Sequence, residues 1–160
     1  MLEPPEMMEI GMKNLIRWIA VGFGTGLSPV MPGTVGTLVG LPIAWGVMRV
    51  SGIGLQTVIC IAMTLLAIPI CGAAERIIGG KDPGCIVADE YLTLPITIIG
   101  LSSPWALLSG FILHRIFDIT KPPPIKQLQH IHGGFGIVVD DFLAALIALG
   151  INHVIFVAIG

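Results

Sequence analysis

The chain has 160 residues, 54% of them hydrophobic and 11% charged, with a formal net charge of -2 and a mean hydropathy of +0.94. A soluble domain carries about 25% charged residues, so this composition excludes an ordinary soluble protein and specifies an integral membrane protein. The 8 Lys and Arg are scattered, which removes the electrostatic footprint that nucleic-acid binding needs, and DNA and RNA are excluded as partners.

The N-terminal stretch, MLEPPEMMEIGMKN, is acidic and contains prolines. It does not read as a cleaved signal peptide, and residues 1–13 are expected to form a polar tail on a single domain spanning 1–160. Glu3, Glu6 and Glu9 in that tail and Glu75 in a polar turn read as solvated charge. Cys60 and Cys71 lie in apolar runs and Cys85 in a polar loop, without a C-x-x-C pair or a histidine at zinc spacing. The residue six positions after each cysteine is Leu66, Ile77 or Tyr91, never Arg, so the nucleophile motif of cysteine phosphatases is missing.

Apolar runs cover residues 35–50, 55–74, 91–117 and 142–159, against the roughly 20 residues that a spanning helix needs. The first is short and the third is long. Gly100-Leu101-Ser102-Ser103-Pro104 interrupts the third, and proline disfavours helix in the residue before it, so two short helices in a hairpin are expected. The fold class is therefore all-α, a small polytopic helical membrane protein with a broken third apolar segment. An unbroken third span would put Asp89 and Asp118 on opposite sides of the bilayer, whereas the hairpin returns them to one face. On that face lie Lys13, Arg17, Arg76, Lys81, Arg115, Lys121 and Lys126, against Arg49 alone on the other. The positive-inside rule makes the shared face cytoplasmic.

Three segments carry chemistry. The first, Gly22-Phe23-Gly24-Thr25-Gly26-Leu27-Ser28-Pro29 continuing through Pro32-Gly33-Thr34, supplies bare amides and hydroxyls ahead of a helix and suits phosphate. It is neither a dinucleotide fingerprint, because Leu27 occupies the last glycine place, nor a Walker loop, because no G-K-[ST] occurs. Gly36 and Gly40 read instead as a packing face. The second segment, Lys81-Asp82-Pro83-Gly84-Cys85-Ile86-Val87-Ala88-Asp89-Glu90, places three acids around a turn and a helix start, where capping and hard-cation ligation are both open readings.

The third segment runs from His114, Arg115 and Asp118 through Lys121 and Pro122-Pro123-Pro124 to His130, His132, Gly133-Gly134 and Asp140-Asp141. Asp118 and Lys121 suit either a helical ion pair or, for Lys121, a phosphate contact. His132 is a candidate proton donor, although a hydrogen-bonded loop histidine fits the same position. His114, His130 and His153 receive no role. The five aspartates and Glu90 all border apolar stretches, where a carboxylate is costly unless a cation pairs with it.

Taken together, GFGTGLSPVMPGTVGT, DPGCIVADE, FDITKPPPI and HGGFGIVVDD, in this order from Gly22 to Asp141, resemble the phosphatidylglycerophosphatase A family of bacterial membrane lipid phosphatases. Pro123 departs from the bulky residue expected there, and Ala88 departs just before the acid pair. The resemblance implies Mg²⁺-dependent removal of the terminal phosphate of phosphatidylglycerophosphate, giving phosphatidylglycerol, in phospholipid biosynthesis at the bacterial inner membrane. The expected Mg²⁺ ligands are Asp82, Asp89, Glu90, Asp140 and Asp141. Gly24, Ser28, Gly33, Thr34 and Lys121 are expected to hold the phosphate, and Asp89, Glu90, Asp118, His132, Asp140 and Asp141 to act in catalysis. Two rivals stand beside this reading. A CDP-alcohol phosphotransferase would need the D-G-x2-A-R arrangement, which is absent, and a divalent-ion transporter would hold its acids inside the spans rather than at helix ends.

Overall fold

The computed structural model describes residues 4–123, 125–128 and 131–159, and every regular element among them is helical. In chain order these are α1 (Pro4–Ala20), a 3-10 segment (Gly22–Leu27), α2 (Pro32–Thr37), α3 (Gly40–Met48) and α4 (Ile53–Ile78). Next come α5 (Ala88–Thr93) with a 3-10 turn (Leu94–Ile98), α6 (Pro104–Thr120), α7 (Ile125–Leu128) and α8 (Gly134–Ile159). Glu3, Pro124 and His130 lie outside the described residues.

The stretches Ile53–Ile78 and Gly134–Phe156 are long and apolar enough to cross a bilayer. At 1.5 Å per residue, α4 reaches about 39 Å, more than the hydrocarbon thickness of about 30 Å. Only 28% of the most apolar window of α4 is buried, and Val58, Ile61, Leu65 and Leu66 face outward. A soluble core helix would be wrapped by neighbours; this one leaves its apolar side exposed, as a membrane-spanning helix does. The shorter apolar stretch Pro32–Met48 is bent between α2 and α3. Its glycines are packing positions: a Cβ at Gly36 would lie 2.5 Å from the Val87 side chain, and one at Gly40 would lie 2.9 Å from the Tyr91 carbonyl oxygen.

The third apolar run forms the expected hairpin. The chain reverses between Ile98 and Pro104, with Gly100 in the left-handed region (φ 78°) and Ser103 capping α6 by accepting a hydrogen bond from the Trp105 amide at 3.3 Å. The first arm is tighter than a plain helix, because Pro95 sits at the start of the 3-10 turn. Asn152 on α8 locks the hairpin. Its Nδ2 donates to the Thr97 and Ala106 carbonyls, both at 2.9 Å, and its Oδ1 accepts from Ser109 Oγ at 2.6 Å. Polar contacts between membrane helices contribute about 0.6 kcal/mol each.

Near the other end of α8, a Cβ at Gly134 would collide with the Ile68 carbonyl oxygen, so α4 and α8 meet backbone to backbone there. Beneath the hairpin, Ala67, Cys71 and Ala74 of α4 pack with Val87, Tyr91, Ile137 and Val138 in one buried cluster. The segment expected as a polar tail is helical from Pro4 onward. Residues 6–20 contain no proline, and Glu9 and Lys13 pair at i, i+4 with 2.8 Å between them. The end of α1 is tied to α5: the Val87 amide donates to Ala20 O and Tyr91 Oη to Ile19 O, both at 2.9 Å.

Candidate active site

The hairpin and α8 converge on a cavity of about 320 Å³. Asp89 and Glu90 reach it from the first turn of α5, Arg115 and Asp118 from the last turns of α6, and Asp140 and Asp141 from α8. Asp82 comes from the loop after α4, Lys121 from just beyond α6, and Gly33 from α2. Lys121 ends α6 in the left-handed conformation (φ 42°), which turns the chain before Pro122. Asp82 also has a positive φ of 46°, and its amide donates to Glu75 Oε1 at 3.0 Å. Glu75, read from sequence as solvated charge, therefore anchors the loop that carries Asp82.

Two ion-pair groups divide the cavity. In one, Arg115 Nη1 lies 2.8 Å from Glu90 Oε2 and 2.7 Å from Asp118 Oδ2, and it donates to Thr37 Oγ1 at 3.3 Å. Thr37 Oγ1 is in turn 2.5 Å from Glu90 Oε2 and 2.8 Å from Gly33 O. A Cβ at Gly33 would strike Glu90 Oε1 and approach Arg115 Nη2 to 2.9 Å, so this position is glycine because two charged side chains occupy the space. In the other group, Lys121 Nζ sits 2.5 Å from Asp140 Oδ2 and 3.8 Å from Asp118 Oδ1. Behind both, the fully buried His114 places Nε2 3.7 Å from Asp141 Oδ1 and 3.4 Å from Thr93 Oγ1.

The charge balance leaves a place for a cation. Among the residues that line the cavity, six carboxylates, Asp82, Asp89, Glu90, Asp118, Asp140 and Asp141, meet two cations, Arg115 and Lys121. One oxygen each of Asp118, Asp140 and Asp141 lies within 4.8 Å of the others. At an effective dielectric constant of 20, a like-charge pair at that separation repels by about 3.5 kcal/mol. The Oδ1 atoms of Asp89, Asp140 and Asp141 are buried without a hydrogen-bond partner. Buried carboxylate oxygens in that state fit a metal ion, and the buried Asp118, Asp140 and Asp141 group can hold one.

Desolvation at the cavity mouth, followed by the field of Asp140, raises the Asp82 carboxyl above its ordinary pKa. Desolvation works to lower Lys121, but the hydrogen bond and charge of Asp140, with Asp118 behind, outweigh it and leave the ammonium above its ordinary value. The Asp82 shift is thus led by burial, and the net Lys121 shift by the acids crowded around it.

Of the residues expected from sequence, the fold brings Gly33, Asp82, Asp89, Glu90, Asp118, Lys121, Asp140 and Asp141 to this cavity. Gly24, Ser28, Thr34 and His132 are not part of its lining. Gly24 (φ 99°) faces the Trp18 ring, Ser28 Oγ donates to its neighbour Val30 O at 2.9 Å, and His132 is exposed. Thr34 Oγ1 is buried without a partner. Most of the glycine-rich segment thus serves close packing: a Cβ at Gly26 would collide with the Cys85 carbonyl. Sequence reasoning assigned no role to Arg115 or Thr37. The i, i+3 spacing of Arg115 and Asp118 was a usable signal; nothing in the sequence pointed to Thr37.

The fold and cavity define an all-helical protein with two helices long and apolar enough to cross a membrane and a buried acidic site that can hold a metal ion. Comparison with known proteins makes the class specific. The family model for Phosphatidylglycerophosphatase A matches residues 18–156. Phosphatidylglycerophosphatase A of Escherichia coli (strain K12) is 36% identical over 147 residues, 90% of this chain and 85% of that protein. The Haemophilus influenzae protein of the same name is 35% identical over 152 residues, 93% of each chain. A Bacteroides thetaiotaomicron protein whose name refers to a phosphatidylinositol-3-phosphatase activity is 31% identical over 136 residues, 80% of this chain and 85% of that one. No solved structure shows a significant match. The chain belongs to the phosphatidylglycerophosphatase A family, and with that it is a phosphatase acting on lipid phosphate monoesters.

Proposed function

We propose that the chain hydrolyses phosphatidylglycerophosphate to phosphatidylglycerol and inorganic phosphate with Mg²⁺ as cofactor, at the cytoplasmic face of a bacterial inner membrane. The observation that carries this reading is the coincidence of family membership with one cavity in which six acids face Arg115 and Lys121. The two relatives named for phosphatidylglycerophosphate support the head group, and the distribution of Lys and Arg supports the sidedness.

Asp118, Asp140 and Asp141, with Asp89 and Asp82 beside them, would hold the metal, the orphaned Oδ1 atoms being the free donors. A bound Mg²⁺ supplies Lewis-acid polarisation of the phosphoryl group and an oriented water. Glu90, whose Oε2 is engaged by Arg115 and Thr37, holds the guanidinium rather than the metal. Arg115 and Lys121 neutralise the phosphate charge, the guanidinium offering Nη2 on the side of Gly33. In the reaction an O–P bond forms from water, the P–O bond to the lipid glycerol breaks, and the departing alkoxide takes a proton. Of the two sequence candidates for proton handling, Asp118 borders the cavity and His132 does not, so the proposal has Asp118 accept the proton that the attacking water loses and pass it to the alkoxide.

The test is phosphate release by detergent-purified protein from phosphatidylglycerophosphate, with Mg²⁺ and with chelator. Phosphatidic acid, phosphatidylinositol 3-phosphate and a soluble glycerophosphate serve as comparisons. Selective Mg²⁺-dependent release from the first establishes the substrate, and preference for another lipid corrects the head group. Absence of release from all four by folded protein overturns the enzymatic reading in favour of ion transport.

A further inference from the structure

Helix α1 carries an apolar stripe that its own packing leaves uncovered. Glu9, Met12, Lys13 and Ile16 share a cleft with Ala73, Arg76 and Ile77 at the end of α4. Met8, Met12, Leu15 and Trp18 fall within a sector of about 120°, and each is more than half exposed. The stripe continues past α1. Gly24 lies against the Trp18 ring, Leu27 shares a cleft with Trp18 and Arg17, and Phe23, Val30 and Met31 are exposed beyond it.

We infer that α1 and residues 23–31 form an interfacial anchor, seated in the boundary between head groups and acyl chains of a bilayer. Three observations favour lipid as the occupant. The stripe is fixed to the end of a helix long and apolar enough to span, so a bilayer surface lies at its height. Glu6, Glu9, Lys13 and Arg17 make α1 too charged to span. Those four charges lie on the face of α1 opposite the stripe, as in a helix that keeps its polar side out of the acyl region, and tryptophan at such a position is an interfacial residue. The family match begins at residue 18, so the stripe from Met8 to Leu15 lies outside it. The anchor has a consequence for the site: α1 is hydrogen-bonded to α5 through Ala20 and Ile19, and its depth sets the height of the cavity mouth over the lipid surface.

The experiment uses the full chain in vesicles of phosphatidylcholine and phosphatidylglycerol, with the exposed Trp45 and Trp105 changed to Phe so that Trp18 alone emits. The expected result is blue-shifted emission, loss of most of it on lipids brominated near the head group, and weak quenching by aqueous iodide. Leu15→Glu, at an exposed position that leaves folding intact, is expected to move Trp18 toward iodide access. Iodide quenching without bromolipid quenching overturns the proposal, because the stripe is then wet. Protection from both quenchers also overturns it, since a second copy or another segment then covers the face; crosslinking through Met8→Cys identifies which.

Discussion

Lys121 Nζ and Asp140 Oδ2 stand 2.5 Å apart, although 19 residues separate them in the chain. The pair joins the end of α6 to α8 and places a cation among acids that the proposal assigns to a metal. Lys121→Met is therefore expected to separate binding from turnover. Removing a competing positive charge tightens Mg²⁺, while losing a phosphate contact lowers kcat by about 10²–10³-fold, the usual cost of one charge-stabilising donor. Titration calorimetry with Mg²⁺ alone and steady-state phosphate release measure the two effects. Weaker Mg²⁺ binding in the variant contradicts the assignment.

Like-charge crowding predicts a trade between stability and function. Asp141→Asn removes repulsion of about 3.5 kcal/mol per close pair before solvent relaxation, and Asp89→Asn removes a buried charge beside Glu90, so both variants should melt higher than the parent in chelator. In Mg²⁺ the order should reverse, because only the parent gains the stabilisation that binding confers, and Mg²⁺-dependent turnover should fall by at least about 10²-fold. Thermal melts with and without Mg²⁺ check this. A parent whose melting point ignores Mg²⁺ would count against a metal site here.

Gly33 has no room for a side chain beside Glu90 and Arg115. Gly33→Ala is expected to fold, since the atoms in its way are side-chain ends, but to displace the guanidinium and lower kcat/KM by about tenfold or more. Arg115→Lys keeps the charge but not the fork that meets Glu90, Asp118 and Thr37, and it should lose about 10²-fold. If Arg115→Lys matches the parent, the guanidinium is not a phosphate ligand.

Acidity should act on the metal-free protein in a stated direction. The folded-state pKa of Asp82 is raised, so its ionised form disfavours the fold and stability falls as pH rises from about 4, the unfolded value, through the raised one. The folded-state pKa of Lys121 is also raised; its contribution is complete below about pH 10 and is lost as pH climbs through the folded value. Asp82→Asn should flatten the acid-side slope in chelator, measured by melts across pH. Mg²⁺ affinity should rise with pH over that same acid range, because the ligands must ionise.

The sequence made the hairpin legible because Gly100 and Pro104 are local signals with local consequences. The acids were legible because charge is conspicuous against hydrocarbon. What stayed hidden depended on tertiary pairing. Arg115 sits within an apolar run, and only the fold shows that Glu90, Asp118 and Thr37 converge on it. Glu75 looked solvated because its partner is the backbone of Asp82, seven residues away. The glycines after Gly22 suit a phosphate loop as well as they suit contact with Cys85 and Val87, and a pattern of glycines cannot separate the two. Residues 1–13 read as a polar tail because acids and prolines dominate that stretch.

The acids around the cavity arrive on α5, α6 and α8 and on the loop behind α4, segments that leave the ribosome at different times. No partial chain assembles the full ligand set. Asp89 and Glu90 enter the bilayer environment with their counter-charges still to be made on α6, and Asp140 and Asp141 come last. On the proposed metal reading, only a chain whose final helix has docked presents the complete ligand set to the cation.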